Sequence, residues 1–159
     1  MAIFIPGTIC PLCGRPIQKD DDPVLFPAFV ANCLDPLVLF HDAVVHRVCL
    51  DSHSLGREAT RRSQEVIARC GPGERKCVVC GKEITDPDDF FGTGYLAPEY
   101  SPIGDFNYLH LHRSHFIDWS RASEFRDKMS AFLASTEWEG PSIVFDPLPM
   151  FVSSQRAAP

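Results

Sequence analysis

The chain has 159 residues, 45% hydrophobic and 23% charged, and its 15 Lys and Arg against 21 Asp and Glu give a formal charge of −6. That is the composition of a globular polypeptide, and no apolar run approaches the roughly 20 residues that a membrane-spanning helix requires. The acidic balance disfavours nucleic-acid capture by counterion release, and a chain of this length split into two halves would need staples such as metal ions.

The N-terminal stretch from Met1 to Gly7 lacks a basic segment and its apolar run ends at Pro6, so the expectation is a cytoplasmic, reducing compartment rather than secretion. Cys10 and Cys13 then form a C-x2-C pair followed at once by Gly14, where a sharp knuckle needs the positive φ that glycine tolerates. The acidic residues 20 to 22 read as an exposed turn. Two apolar, partly β-branched runs, 24 to 30 and 37 to 45, flank the breaker Asn32-Cys33-Leu34-Asp35-Pro36 and predict a hairpin or two short strands. His46 and Cys49 follow as H-x2-C, at the entry to a helical pattern whose positive end would favour thiolate at Cys49. Ser54 is placed to cap a helix running to about Arg69, with Leu55, Ala59, Val66, Ile67 and Cys70 along a broken apolar stripe. Glu58 with Arg62, and Glu65 with Arg69, are i,i+4 pairs in the favourable order. Gly71-Pro72-Gly73 stops this helix and marks a boundary.

The same order then returns. Cys77 and Cys80 are followed by Gly81, and the acidic residues from 86 to 89 form a second turn. The runs 90 to 96 and 106 to 109, interrupted by Pro98, Pro102 and Gly104, predict shorter strands and a longer loop. His112 and His115 form H-x2-H, with His110 and Cys70 as competing donors. Ser120 or Ser123 is placed to cap a helix through about Ala134, with Ala122, Phe125, Met129, Phe132 and Leu133 facing inward. From Trp138 onward, the runs Ile143-Val144-Phe145 and Leu148-Pro149-Met150-Phe151 suggest an edge strand or a segment lying across the body and fraying at its end.

Seven cysteines, an odd number in a chain read as cytoplasmic, argue for metal-binding thiols over disulfides. An offset of 67 superimposes Cys10, Cys13, Gly14 and Ile17 on Cys77, Cys80, Gly81 and Ile84; shortened by one, it places Val45-His46-Arg47-Val48-Cys49-Leu50 on Leu111-His112-Arg113-Ser114-His115-Phe116. The module is duplicated. Each copy supplies four sulfur or imidazole donors, the number that a closed structural zinc site requires, and so predicts two Zn2+ ions. Their ligands are Cys10, Cys13, His46 and Cys49 in one unit, residues 1–71, and Cys77, Cys80, His112 and His115 in the other, residues 72–135. Residues 136–159 form a C-terminal extension.

A C-x2-C-G knuckle, a β segment and an apolar H-x2-C entry to a helix resemble a treble-clef zinc finger. In ligand order the first unit is similar to LIM modules, which have a shorter insert and a second, adjoining zinc site. In its long central spacing it is similar to the fingers of poly(ADP-ribose) polymerases. The resemblance implies an α+β fold of two tandem zinc-stapled units, each a knuckle, short antiparallel strands and a C-terminal helix. It specifies ligands and fold and leaves function open.

Three functions compete. The first is a noncatalytic module that contacts another protein, through the aromatic runs Phe26 to Phe29 and Phe90 to Tyr95 or the proline-rich tail; the alternative for either run is to fill the space between strand and helix. The second is nucleic-acid binding through Arg57, Arg61, Arg62 and Arg69. These lie in the less acidic unit, which carries 7 basic and 8 acidic residues up to Gly71 against 8 and 13 beyond it. The third is a His-Asn-His-type nuclease using Asp105, Asn107, His110, His112 and His115, which needs an open metal position and a free histidine. If both sites close on their four ligands, His110 alone is left as a base. Cys33 and Cys70 read as small buried apolar residues.

Overall fold

Residues 2–71 and 73–140 are described by the computed structural model, and the chain divides into two units, Met1–Arg69 and Cys70–Pro159. The architecture is α+β, with one two-stranded antiparallel sheet in each unit.

The first unit begins with the knuckle. Ile9 bridges Pro16, the Cys10 N–H donates to the Arg15 carbonyl at 2.9 Å, and the Gly14 N–H closes back on the Cys10 carbonyl at 2.9 Å. Gly14 has φ +70°, the left-handed turn anticipated for it. Strand β1 (Pro23–Leu25) then pairs antiparallel with β2 (Val44–His46), Pro23 opposite His46. Both strands are shorter than their apolar runs. Beyond the strands, Phe26 N–H donates to the Ala43 carbonyl and Asp42 N–H to the Pro27 carbonyl, but Pro27 has no N–H to donate in return and the regular ladder ends. Residues expected to continue the second strand instead make a 3-10 turn, Val38–Phe40, and a left-handed residue, Asp42 at φ +48°.

Helix α1 (Arg47–Ser52) follows β2 directly, and α2 (Gly56–Cys70) starts afresh after His53. The helix expected from Ser54 to about Arg69 is α2, and the separate α1 precedes it across a break at 53 to 55. Gly56 permits the break: a Cβ there would lie 2.1 Å from the Leu50 carbonyl oxygen. Ile17, Phe26, Leu37, Phe40, Val45 and Ala59 are all buried in one core, with Leu55 and Val66 packed against it. Ile67 is exposed, whereas Arg62 is buried, its guanidinium paired with Asp35 and with Glu58 at 3.3 Å.

The second unit repeats this wiring with different side chains. Lys76 bridges Glu83, Gly81 has φ +72°, and β3 (Phe90–Gly92) pairs with β4 (His110–His112), Phe90 opposite His112. A 3-10 turn at Gly104–Phe106 matches Val38–Phe40, and left-handed Tyr108 (φ +57°) matches Asp42. A second short turn, Arg113–His115, stands where α1 stands, and α3 (Ala122–Leu133) stands where α2 stands. Neither Ser120 nor Ser123 is the cap; Arg121 precedes the helix and makes no side-chain cap bond. Phe106, Phe116 and Phe125 are fully buried, with ring centroids 5.1 Å apart for Phe106 and Phe125. Of the expected helix face, Ala122, Phe125, Met129 and Phe132 are buried. Trp138 packs on Phe132 at 5.5 Å, and the remaining expectations for the C-terminal extension lie outside the described residues.

The close approach at the α1–α2 break gives a stability prediction. Gly56→Ala forces Cβ into a backbone carbonyl that cannot rotate away, a local overpacking that costs about 1–3 kcal/mol, whereas Gly94→Ala, with nothing within 4 Å of its Cβ, stays within about 1 kcal/mol of the parent. Thermal unfolding of the two variants side by side measures the difference.

Candidate metal centres

Two groups of side chains, Cys10, Cys13, His46 and Cys49 in one unit and Cys77, Cys80, His112 and His115 in the other, each bring their donor atoms within 4.8 Å of one another. In the first, the knuckle supplies Cys10 and Cys13, the last residue of β2 supplies His46, and α1 supplies Cys49. The H-x2-C spacing works because His46 is extended, at φ −66° and ψ +139°, while Cys49 lies on the helical turn immediately after it. The Nδ1 atom of His46 lies 3.5 Å from Cys13 Sγ and 3.7 Å from Cys49 Sγ.

The second group uses the same elements. Cys77 and Cys80 come from the knuckle, His112 from the end of β4, and His115 from the 3-10 turn. Cys77 Sγ lies 3.6 Å from His115 Nδ1, and Cys80 Sγ lies 3.7 Å from His112 Nδ1. Tetrahedral zinc with ordinary Zn–S and Zn–N bond lengths places sulfur and nitrogen about 3.5 Å apart. Both donor sets therefore fit such an ion in number, chemistry and separation, and either could hold one.

Local electrostatics prepare some of the sulfurs for metal. The Arg15 N–H and guanidinium bond the Cys13 sulfur and bring its thiol down to about 6. Burial pushes Cys10 up, but the N–H groups of His46, Leu12 and Cys13 outweigh it and leave it below the ordinary thiol value. Burial likewise opposes ionisation of Cys77, and the N–H groups of His112 and Cys80 overcome it to give about 6. Cys49 behaves otherwise. Burial first, then the neighbouring Cys13 and Cys10, push its thiol up to about 11, so the short α1 helix does not produce the thiolate expected there. Burial opposes charge on His46, and the Cys10 and Cys13 sulfurs more than compensate, raising its pKa.

Several residues singled out in the sequence stand apart from these groups. His110 is on β4 with His112, two positions away and therefore of the same strand parity, but about 7 Å further along. Its ring is buried beside Phe90, with centroids 5.5 Å apart, and burial together with the nearby Arg75 charge lowers its pKa. Asn107 is consumed by the backbone: its amide oxygen accepts from Leu96 N–H at 2.6 Å and Ala97 N–H at 3.2 Å, and its amide nitrogen donates to the Ala97 carbonyl at 2.7 Å. Asp105 pairs with Arg121 at 3.3 Å. Asn107 and Asp105 are thus engaged by backbone and by Arg121, whereas the buried His110 Nε2 has no hydrogen-bond partner among the described residues. Cys33 is exposed and Cys70 half-buried, neither the buried apolar residue anticipated, and neither joins a donor group. Phe26 and Phe29 are 2% and 5% exposed, so this run fills the core, and Phe91 at 3% does the same in the second unit.

No protein-family profile, curated protein or solved structure matches this chain.

Because zinc binds thiolate, Cys49 has to release a proton on metal uptake. With its thiol at about 11, the first group should release at least one proton per ion near pH 8, and its apparent affinity should rise about tenfold per pH unit between pH 7 and 9. Calorimetric titration in buffers of different ionisation enthalpy, on a His112→Ala/His115→Ala chain that isolates the first group, counts those protons. Uptake without proton release would contradict the protonated state assigned to Cys49.

Proposed function

We propose that this is a noncatalytic zinc-binding protein in which one ion on Cys10, Cys13, His46 and Cys49, and a second on Cys77, Cys80, His112 and His115, staple two treble-clef-like units into a scaffold for contact with another protein. The observation that carries the reading is the paired four-donor geometry, in which every donor is sulfur or imidazole and each set is complete without water or carboxylate. Soft thiolates with imidazole favour zinc over magnesium or calcium. An ion held in this way contributes folding free energy on the order of 10 kcal/mol, enough to order a small unit with long loops. Thiol ligands also imply a reducing compartment such as the cytoplasm.

The binding role rests on what is left on the surface once the aromatic runs are assigned to the core. Ile3, Ile5 and Ile9 in the first unit, and Val78, Tyr100 and Ile117 in the second, are exposed apolar side chains available to a protein partner. Of the four arginines behind the nucleic-acid reading, Arg61 pairs with Glu58 and Glu65, Arg62 with Asp35 and Glu58, and Arg69 with Glu65, which leaves the exposed Arg57 as slender support for it.

Purified protein is expected to carry two equivalents of zinc. Cys10→Ser should lose one of them, and either His112→Ala or His115→Ala the other, while chelation abolishes the near-ultraviolet circular dichroism of the packed aromatics. Metal-free protein with that signal intact would sink the reading.

A further inference from the structure

Zinc-ligating histidines are normally fixed by a partner on their second ring nitrogen, and the two units differ in whether one is present. In the first unit His46 turns Nδ1 toward the sulfurs, and its other nitrogen, Nε2, lies 3.6 Å from Asp21 Oδ2. That carboxylate is itself held in place, because the Gln18 N–H donates to the same oxygen at 2.7 Å. The His46 side chain is 9% exposed and Asp21 41%, so the contact sits at the edge of the site. In the second unit the offset of 67 places Asp88 at the position of Asp21. Among the described residues, no carboxylate forms an ion pair with a ring nitrogen of His112 or His115. The nearby Asp89 carboxylate instead accepts from the Ser114 N–H at 2.9 Å and the Ser114 hydroxyl at 3.0 Å.

We propose that Asp21 is a positioning residue for the first metal centre: it takes the Nε2 proton of His46 as a hydrogen bond, so selecting the tautomer whose Nδ1 lone pair faces the three cysteines. The inference rests on the zinc reading above and adds to it an inequality between the two sites. The first has a carboxylate directly facing the second ring nitrogen of its histidine, whereas the second has the Asp89 carboxylate engaged by Ser114 and acting on His112 and His115 only through charge. A carboxylate on the far side of the ring raises the basicity of Nδ1 and removes the cost of choosing a tautomer at the moment of binding.

The test uses the full chain with zinc itself as the probe. Competition with a chelator is followed site by site through the histidine ring resonances, and long-range nitrogen–proton correlation reports which His46 nitrogen carries hydrogen. Asp21→Ala is expected to weaken zinc at the first site by about 10- to 100-fold and to shift the His46 Nε2–H resonance. Asp21→Asn, which keeps an oxygen for the Gln18 N–H, should lose less affinity yet shift the same resonance, and it decides the matter if the alanine variant fails to fold. Asp88→Ala should leave the second site within about threefold of the parent. Unchanged first-site affinity and an unmoved resonance would overturn the proposal. So would lost affinity with the resonance unmoved, because the carboxylate would then act through the Gln18 turn. Wild-type protein that takes up no zinc fails the underlying reading before any variant is compared, so the two failures are distinguishable.

Discussion

Convergence of four donor atoms from three places in the chain is the constraint on which each unit depends. The knuckle has few backbone bonds to the rest of its unit, the hairpin has three residues per strand, and a two-stranded hairpin alone is marginal in water. Ile17 ties the first knuckle into the shared core, and in each unit the knuckle sulfurs meet the last residue of the second strand and the turn after it. Sulfurs crowded this closely cannot all ionise freely; burial first, and then the neighbouring Cys13 and Cys10 sulfurs, push Cys49 up to about 11. A divalent cation removes that restriction, which is why a sequence that places four such donors together reads as a metal site and not as an ordinary core.

Much of this was legible from cysteine spacing alone. The offset of 67, reduced to 66 after one deletion, located both knuckles and both second ligand pairs, and the glycine after each knuckle takes the left-handed turn expected of it. Element lengths were less legible. Apolar runs of seven to nine residues read as strands, but burial in a loop-rich core selects the same residue types as burial in a sheet. Leu37 and Phe40 are therefore buried without belonging to a ladder. Ser54 offered a reasonable cap, yet the close contact of Gly56 with the Leu50 carbonyl, a tertiary feature, set where α2 begins.

The duplication also runs deeper than sequence comparison reveals, because equivalent positions do equivalent work with unlike residues. His41 Nδ1 accepts the Val30 N–H at 3.0 Å, while the matching Asn107 accepts the Leu96 and Ala97 N–H groups. His53 stacks edge-on against Phe40 at 5.4 Å, and the matching Trp119 does so against Phe106 at 6.0 Å. An imidazole nitrogen and a carboxamide oxygen are interchangeable as acceptors of a backbone N–H, so selection preserves the bond and not the residue. For the same reason Asn107, which a linear reading groups with the histidines of a nuclease-type site, holds backbone in three dimensions.

Divergence is sharpest at the metal centres themselves. Replacing the sulfur of Cys49 by the imidazole of His115 removes one negative charge from the donor set, and the surroundings differ accordingly. The three-cysteine group has the Arg15 guanidinium against Cys13, with its own pKa raised first by that hydrogen bond and then by the charges of Cys13 and Cys49. A planar guanidinium can bond a sulfur and spread its charge toward a second, which suits a site carrying an extra thiolate. At the matching position, the two-cysteine group has Lys82. Asp21 does not undo this compensation, since it meets His46 on the nitrogen directed away from the sulfurs. Charge is therefore sorted by direction: a cation lies against the Cys13 sulfur, and an anion lies on the far side of the His46 ring.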